Sequence, residues 1–124
     1  MKIGCFSVLF GDKPLKEAIQ VIKKLCPGIE AIEIGTGNYP GNAHCDPKTL
    51  LNNTEAFDNF KSTLDESGLD LSALSCHGNP VHPSAEIAKE HKETHENTVK
   101  LAAKLGIDTV IGFSGCPGAG QPPW

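Results

Sequence analysis

Arginine is absent from this sequence, and all eleven basic residues are lysine. The chain therefore has no guanidinium fork with which to bind a phosphate group through two parallel hydrogen bonds. Fifteen acidic residues give a formal net charge of -4, and Lys23-Lys24 is the only adjacent basic pair. A nucleic-acid-binding surface usually needs a clustered basic patch, so we expect no nucleic-acid partner.

Long apolar runs are also absent. No stretch approaches the ~20 residues that a membrane-spanning helix requires, so we expect no membrane segment. The first ten residues contain a short apolar run without a small-residue cleavage site, which is typical of a first strand rather than a signal peptide. Five cysteines without close pairs favour a reducing compartment over a disulfide framework, so we expect a cytoplasmic protein.

Hydrophobic periodicity divides the chain into alternating strands and helices. Apolar runs predict four strands at 2–7, 29–34, 70–77 and 108–113, and helical spacing predicts three helices at 15–25, about 54–68 and about 85–105. Segment 35–47 is rich in Gly, Pro and Asn and is predicted to be a long loop, which is usually functional or mobile. The capping and terminating residues that we expect are Asp12, Asn53 or Thr54, Gly68, Ser84 and Gly106.

This order predicts an α/β fold with a parallel sheet covered by helices. Right-handed crossovers leave two families, an open doubly wound sheet or a (β/α)₈ barrel. No Gly-x-Gly-x-x-Gly loop follows the first strand, which weakens a dinucleotide-binding interpretation. A full barrel needs about 250 residues, so 124 residues would supply roughly half of one.

The third predicted strand ends in chemically versatile residues, Cys76-His77-Gly78. Alternation places His77 on one face with Leu71, Ala73 and Ser75, whereas Cys76 points to the opposite face, towards the helices. Ligands bind at the carboxyl ends of strands in parallel α/β folds. A histidine there can bind a metal, contact a substrate hydroxyl or transfer protons, or it can simply hydrogen-bond the following loop.

Glu33 lies near the end of the second strand, which is otherwise mostly apolar. Burying a lone carboxylate is costly, so Glu33 must be paired or must face a polar site. Two interpretations stay open from the residues alone. Glu33 either acts at the rim of the sheet or forms a structural pair with an interior His or Lys.

The remaining histidines and cysteines give weaker signals. His91 and His95 are four residues apart on one helix face, where a structural role is favoured over a metal site because Lys92 stands where the His-Glu-x-x-His motif has its base. His82 is interpreted as a loop residue. A zinc site could be built from His44-Cys45, Cys76-His77 and Cys116, although their spacing matches no compact zinc motif.

Four segments resemble one protein superfamily: MKIGCFS at 1–7, EAIEIGTG at 30–37, LSCHGNP at 74–80 and LGIDTVIGFSG at 105–115. Together they resemble the amino-terminal half of sugar phosphate isomerases/epimerases of the xylose-isomerase-like barrel superfamily, which also includes endonuclease IV-type enzymes. The resemblance extends to about Gly118. It implies a (β/α)₈ barrel in which a divalent metal (Mn, Mg, Co or Zn) helps to move a proton between neighbouring carbons of a sugar or sugar phosphate.

The resemblance carries over to few residues. Glu33 matches the acidic residue at the end of the second strand, His77 matches the third-strand histidine that faces the substrate, and Gly115 lies in the loop after strand four. In the endonuclease IV-like pattern the third-strand histidine binds metal, so His77 is also a candidate metal ligand. The epimerase metal ligands lie on later strands, which this chain lacks.

Residues 1–124 are therefore expected to be a fragment, and the tail 120–124 looks like a truncation or a frame change. We expect the fragment alone to be inactive. A half-barrel would leave its first and fourth strands unpaired, which invites self-association. The alternatives are a non-catalytic half-barrel that binds a polyol or self-associates, and an endonuclease IV-like hydrolase, which the net charge disfavours.

Overall fold

A computed structural model describes residues 1–118, so the expectation about the tail at 120–124 lies outside the described residues. The chain alternates strands and helices. The strands are β1 (Gly4–Phe6), β2 (Ala31–Gly35), β3 (Asp70–Ser75) and β4 (Val110–Ile111). The helices are α1 (Leu15–Leu25), α2 (Pro47–Asn52), α3 (Thr54–Ser67) and α4 (Ala85–Leu105), and a short 3-10 helix spans Ser7–Phe10.

The four strands form one sheet in the order β1-β2-β3-β4, and every neighbouring pair is parallel. The predicted α/β class with a four-stranded parallel sheet is thus confirmed. Consecutive strands lie side by side with a helical connection between them. This arrangement is consistent with part of a (β/α)₈ barrel.

One face of the sheet, here called the core face, packs against the helices. Ile32, Ile34 and Leu74 are fully buried there, together with Ile22 of α1 and Leu101 of α4. At about 25 cal/mol per Å² of apolar surface removed from water, this cluster supplies the main stabilisation of the fold. Within residues 1–118, no helix is long and apolar enough to cross a membrane.

The other face carries Phe6, Glu33 and Ser75 and is here called the site face. The strand register aligns Phe6 with Glu33 and Glu33 with Ala73, so these side chains point to the same side. A bulge between Ile32 and Glu33 leaves one extra residue, Ser72, on β3. Leu71 therefore aligns with Ile32 and packs against the core, so the prediction that it shares a face with Ser75 and His77 was wrong.

The helix boundaries confirm some predicted signals and correct others. The side chain of Asn53 caps α3 by accepting the Ala56 N–H at 3.0 Å, while Gly68 and Gly106 end α3 and α4 in the left-handed region. Asp12 does not cap α1, because its carboxylate contacts Lys13 Nζ at 2.6 Å and the helix begins after Pro14.

Helix α2 was not predicted, so the chain has four α-helices within residues 1–118 rather than three. It begins within the Gly-, Pro- and Asn-rich segment. The side chain of Asp46 accepts the Lys48 N–H at 3.2 Å, and Pro47 occupies the first turn. The loop after β2 is consequently shorter than predicted and is anchored at its far end.

Candidate functional site

The imidazole of His77 lies beyond the carboxyl end of β3, between two phenyl rings. Its centroid is 4.6 Å from that of Phe113, which follows β4, and 6.3 Å from that of Phe6 on β1. His77 is half-buried, whereas Phe113 is 58% exposed. Residues from β1, β3 and the segment after β4 thus meet at the rim of the sheet, as predicted for His77.

Glu33 lies deeper on the same face, and its Oε1 accepts a hydrogen bond from the hydroxyl of Ser75 on β3. Ser75 is fully buried, while Glu33 is half-buried. Of the two open interpretations, the predicted pairing with an interior His or Lys is replaced by this pairing with a serine. Among residues 1–118 no hydrogen bond joins Glu33 to His77, although both lie on the site face.

A cleft of about 380 Å³ lies between the segments that follow β3 and β4, and its lining begins at Gly78, the residue after His77. We call it the rim cleft. Tyr39 and Phe113 supply aromatic walls, with ring centroids 6.4 Å apart, and the Tyr39 N–H donates to the His77 carbonyl at 2.9 Å. The lining residues are Tyr39, Gly78, Asn79, Gly112, Phe113, Ser114, Gly115 and Cys116. Aromatic faces next to amides and a hydroxyl are typical of sites for small polar organic ligands.

Asn79 fixes one wall of the rim cleft to the other. Its side chain is almost fully buried, its Oδ1 accepts the Cys116 N–H at 2.9 Å, and its Nδ2 donates to the Cys116 carbonyl at 2.7 Å. Gly115 allows this approach, because a Cβ there would lie 2.5 Å from Asn79 Oδ1 and its φ is +89°. Asn79 was not predicted as a site residue, although its place between Gly78 and Pro80 at a strand end was a usable signal.

A second set of polar contacts ties the end of β2 to α4. The Thr36 hydroxyl lies 3.1 Å from the Ser75 carbonyl and 2.8 Å from the Thr98 hydroxyl, and Thr98 Oγ1 lies 2.8 Å from the Thr94 carbonyl. Asn38, in the left-handed region with φ 59°, donates through Nδ2 to the Cys76 carbonyl at 3.3 Å. These bonds hold the segment after β2 against the base of the rim cleft.

The other histidines and cysteines are dispersed. His44 is buried, with Nδ1 3.0 Å from Ser7 Oγ and Nε2 2.9 Å from the Lys13 carbonyl. His91 Nδ1 accepts the Asn79 N–H at 2.7 Å, and Cys76 Sγ lies 3.3 Å from His95 Nδ1. Cys76 therefore faces the helices, as alternation predicted, and His91 and His95 direct their Nδ1 atoms to different partners.

Burial sets the chemistry of two thiols. It raises the pKa of Cys45 to about 12 and raises the pKa of Cys76, where a hydrogen bond with Thr98 acts in the opposite direction. A thiol with a raised pKa is a poor nucleophile and a poor metal ligand. Cys116 is exposed in the rim cleft, away from the Cys76 thiol on the core face.

The implied divalent metal can be tested against the donors that are present. Within residues 1–118, no group of three or more His, Cys, Asp or Glu side chains could hold a metal ion. His77 is flanked by phenyl rings rather than by further donors. The zinc set considered from His44-Cys45, Cys76-His77 and Cys116 therefore does not assemble among the described residues.

Comparison with known proteins finds similarity to part of a longer protein. No protein-family model matches the chain. A Bacillus subtilis (strain 168) protein named "Uncharacterized protein YfiH" is 32% identical over 128 residues, an alignment that covers 100% of this chain and 40% of the relative. The chain thus spans 40% of the length of that relative, whose name states no activity.

Proposed function

We propose that this chain is the amino-terminal half of a metal-dependent sugar or sugar phosphate isomerase/epimerase of the xylose-isomerase-like barrel superfamily. The observation that carries the proposal is the position of His77, held between Phe6 and Phe113 at the carboxyl end of a parallel sheet with Glu33 on the same face. Alignment with 40% of a longer relative supports a role as part of a larger protein.

The geometry suggests how these groups would act on a sugar. The exposed ring of Phe113 offers an apolar surface to C–H groups, and the His77 imidazole can donate to or accept from a hydroxyl. Ser75 engages Glu33 Oε1, which leaves Oε2 as the oxygen that would accept a substrate hydroxyl. His77 is the one metal ligand that we propose from this chain, and further ligands would have to come from outside the described residues.

The proposal predicts binding without turnover. We expect the purified chain to bind ketoses or aldoses at millimolar concentration, with amide chemical-shift changes at residues 77 and 112–114, and to show no metal-dependent epimerisation. His77→Ala should abolish the shift changes, whereas the control Lys92→Ala, on the exposed side of α4, should retain them. Absence of sugar-dependent shifts would contradict the binding role, and robust metal-dependent epimerisation would contradict the inactivity of the isolated chain.

A second candidate function is assembly through the sheet edges. Within residues 1–118, β1 pairs only with β2 and β4 only with β3, so one edge of each is unpaired. Ile3, next to β1, is 65% exposed. We propose that two copies pair β4 of one with β1 of the other, which would close eight parallel strands.

Sedimentation velocity tests this assembly. We expect a dimer that Ile3→Lys converts to monomer, because a lysine at an edge opposes pairing. The control Leu9→Lys places the same charge at another exposed apolar residue, 75% exposed in the 3-10 helix, and should leave the dimer intact. A monodisperse wild-type monomer would exclude self-association at the concentration used.

A further inference from the structure

Two imidazoles hold the segment between β3 and α4 by accepting hydrogen bonds from its backbone. The Asn79 N–H donates to His91 Nδ1 at 2.7 Å, and the Ser84 N–H donates to His82 Nδ1 at 2.9 Å. A backbone N–H can only donate a hydrogen bond, so each Nδ1 must accept it through a lone pair. In this arrangement each ring is neutral and carries its proton on Nε2. An imidazolium has N–H on both nitrogens and can accept neither bond.

The hydrogen bond from the Asn79 N–H to His91 also affects the contacts of the Asn79 side chain. It fixes the backbone of Asn79, whose side chain makes both hydrogen bonds to Cys116 across the rim cleft. The same side chain lies 3.3 Å from the Val81 N–H. Movement of the Asn79 backbone would therefore displace the link between the two walls of the rim cleft.

The ring of His91 is not enclosed by the fold but borders a second cleft. The ring is half-buried, stands edge-on to Tyr39 at 5.3 Å, and lines a second cleft of about 760 Å³ between α4 and residues 36–48. Its neighbour one turn along α4 is His95. Within residues 1–118 neither His82 nor His91 forms an ion pair. The titratable and charged groups that line this cleft with His91 are Tyr39, Asp46, Lys48, Glu90, Glu93, Glu96 and Lys100.

These groups act in opposite directions on an imidazolium. The carboxylates of Asp46, Glu90, Glu93 and Glu96 would stabilise it, and the two lysines would oppose it. On the outer side of α4, Glu93 forms an ion pair with Lys89 at 3.8 Å, and Glu96 forms one with Lys92 at 3.9 Å.

We propose that His91 holds the walls of the rim cleft together only while its Nδ1 is unprotonated. Protonation removes the acceptor of the Asn79 N–H and releases the segment 78–84 together with its link to Cys116. His82 acts in the same direction on the end of that segment at Ser84. This inference goes beyond the proposed function and holds whatever ligand the rim cleft takes.

Amide hydrogen exchange by NMR tests the inference without any ligand. We expect the protection factor of the Asn79 amide to fall about tenfold between pH 7.5 and pH 5, the factor expected when one hydrogen bond of ordinary strength is lost. His91→Gln retains an acceptor in its side-chain carbonyl but cannot be protonated, so its Asn79 protection should be independent of pH. His82→Gln should remove the pH dependence at Ser84 while leaving that at Asn79.

Two internal controls separate local release from acid unfolding. The Leu74 amide, in the centre of the sheet, should keep its protection over the same pH range. The ¹⁵N chemical shift of His91 Nδ1 should report an unprotonated nitrogen at pH 7.5, whether or not the glutamine variant folds. Equal acid loss in wild type and His91→Gln, a parallel loss at Leu74, or a protonated Nδ1 at pH 7.5 would each overturn the inference.

Discussion

The hydrogen bond from Ser75 to Glu33 should show a measurable coupling energy, because the donor is fully buried and the acceptor is a carboxylate oxygen. Hydrogen bonds to charged groups contribute about 1.5–3 kcal/mol to stability. Ser75→Ala removes the donor, but half-buried Glu33 can recruit water, so we expect a loss of about 1–2 kcal/mol. Glu33→Ala leaves a buried hydroxyl without its acceptor, which costs about 1–3 kcal/mol.

A double-mutant cycle by urea unfolding isolates the pair. The double variant should lose less than the sum of the single losses, with a coupling energy of about 1–2 kcal/mol, and each kcal/mol should shift Tm by about 3–5 °C in a domain of this size. Ser72→Ala is the matched control, since exposed Ser72 on the same strand donates to the neutral Ile32 carbonyl at 3.1 Å. Its effect should be about 0.5 kcal/mol. A coupling energy below about 0.5 kcal/mol would refute the assignment of Glu33 to Ser75.

Three further perturbations test the fold around the site. His44→Ala should cost about 2–4 kcal/mol by urea unfolding, since it leaves a cavity and deprives Ser7 and the Lys13 carbonyl of partners, and a loss under about 1 kcal/mol would contradict that role. Leu74→Ala should cost about 2–5 kcal/mol, against about 0.5 kcal/mol or less for exposed Leu9→Ala, and similar losses in both would argue against the core as described. Burial raises the Cys45 pKa from 9.0 to about 12, so the unfolded thiol ionises first and stability falls as pH rises from 9 towards 12. The loss at pH 10 should be about 1.4 kcal/mol, and an identical alkaline loss in Cys45→Ala would exclude Cys45 as its source.

The order of elements could be predicted from the sequence because it depends on local patterns. Helical spacing from Leu15 to Leu25 and the glycines at 68 and 106 act within a few residues, and the structure confirms them. Helix α2 escaped prediction because six residues give too short a pattern to distinguish from the loop around them. The bulge at Ser72 escaped because alternation contains no signal for one extra residue.

The site was predictable only where a single residue carried the signal. His77 was found from its place at a strand end, and the structure places it at the rim beside Phe113. Asn79 acts on Cys116, 37 positions away, and Glu33 is paired with Ser75, 42 positions away. Such partners depend on strand register and on the path of loops, which periodicity does not specify.

The link between Thr36 and Thr98 has one further consequence, which follows from counting protons. Two hydroxyl groups carry two protons, yet they make three close contacts, to the Ser75 carbonyl, to the Thr94 carbonyl and to each other. At any instant one of the three contacts lacks a proton. Rotation of the hydroxyls alone can move that vacancy from one contact to another while every heavy atom stays in place. When the vacancy lies at the Ser75 carbonyl or at the Thr94 carbonyl, a hydrogen bond joins Thr36 to Thr98, and its direction is opposite in the two cases.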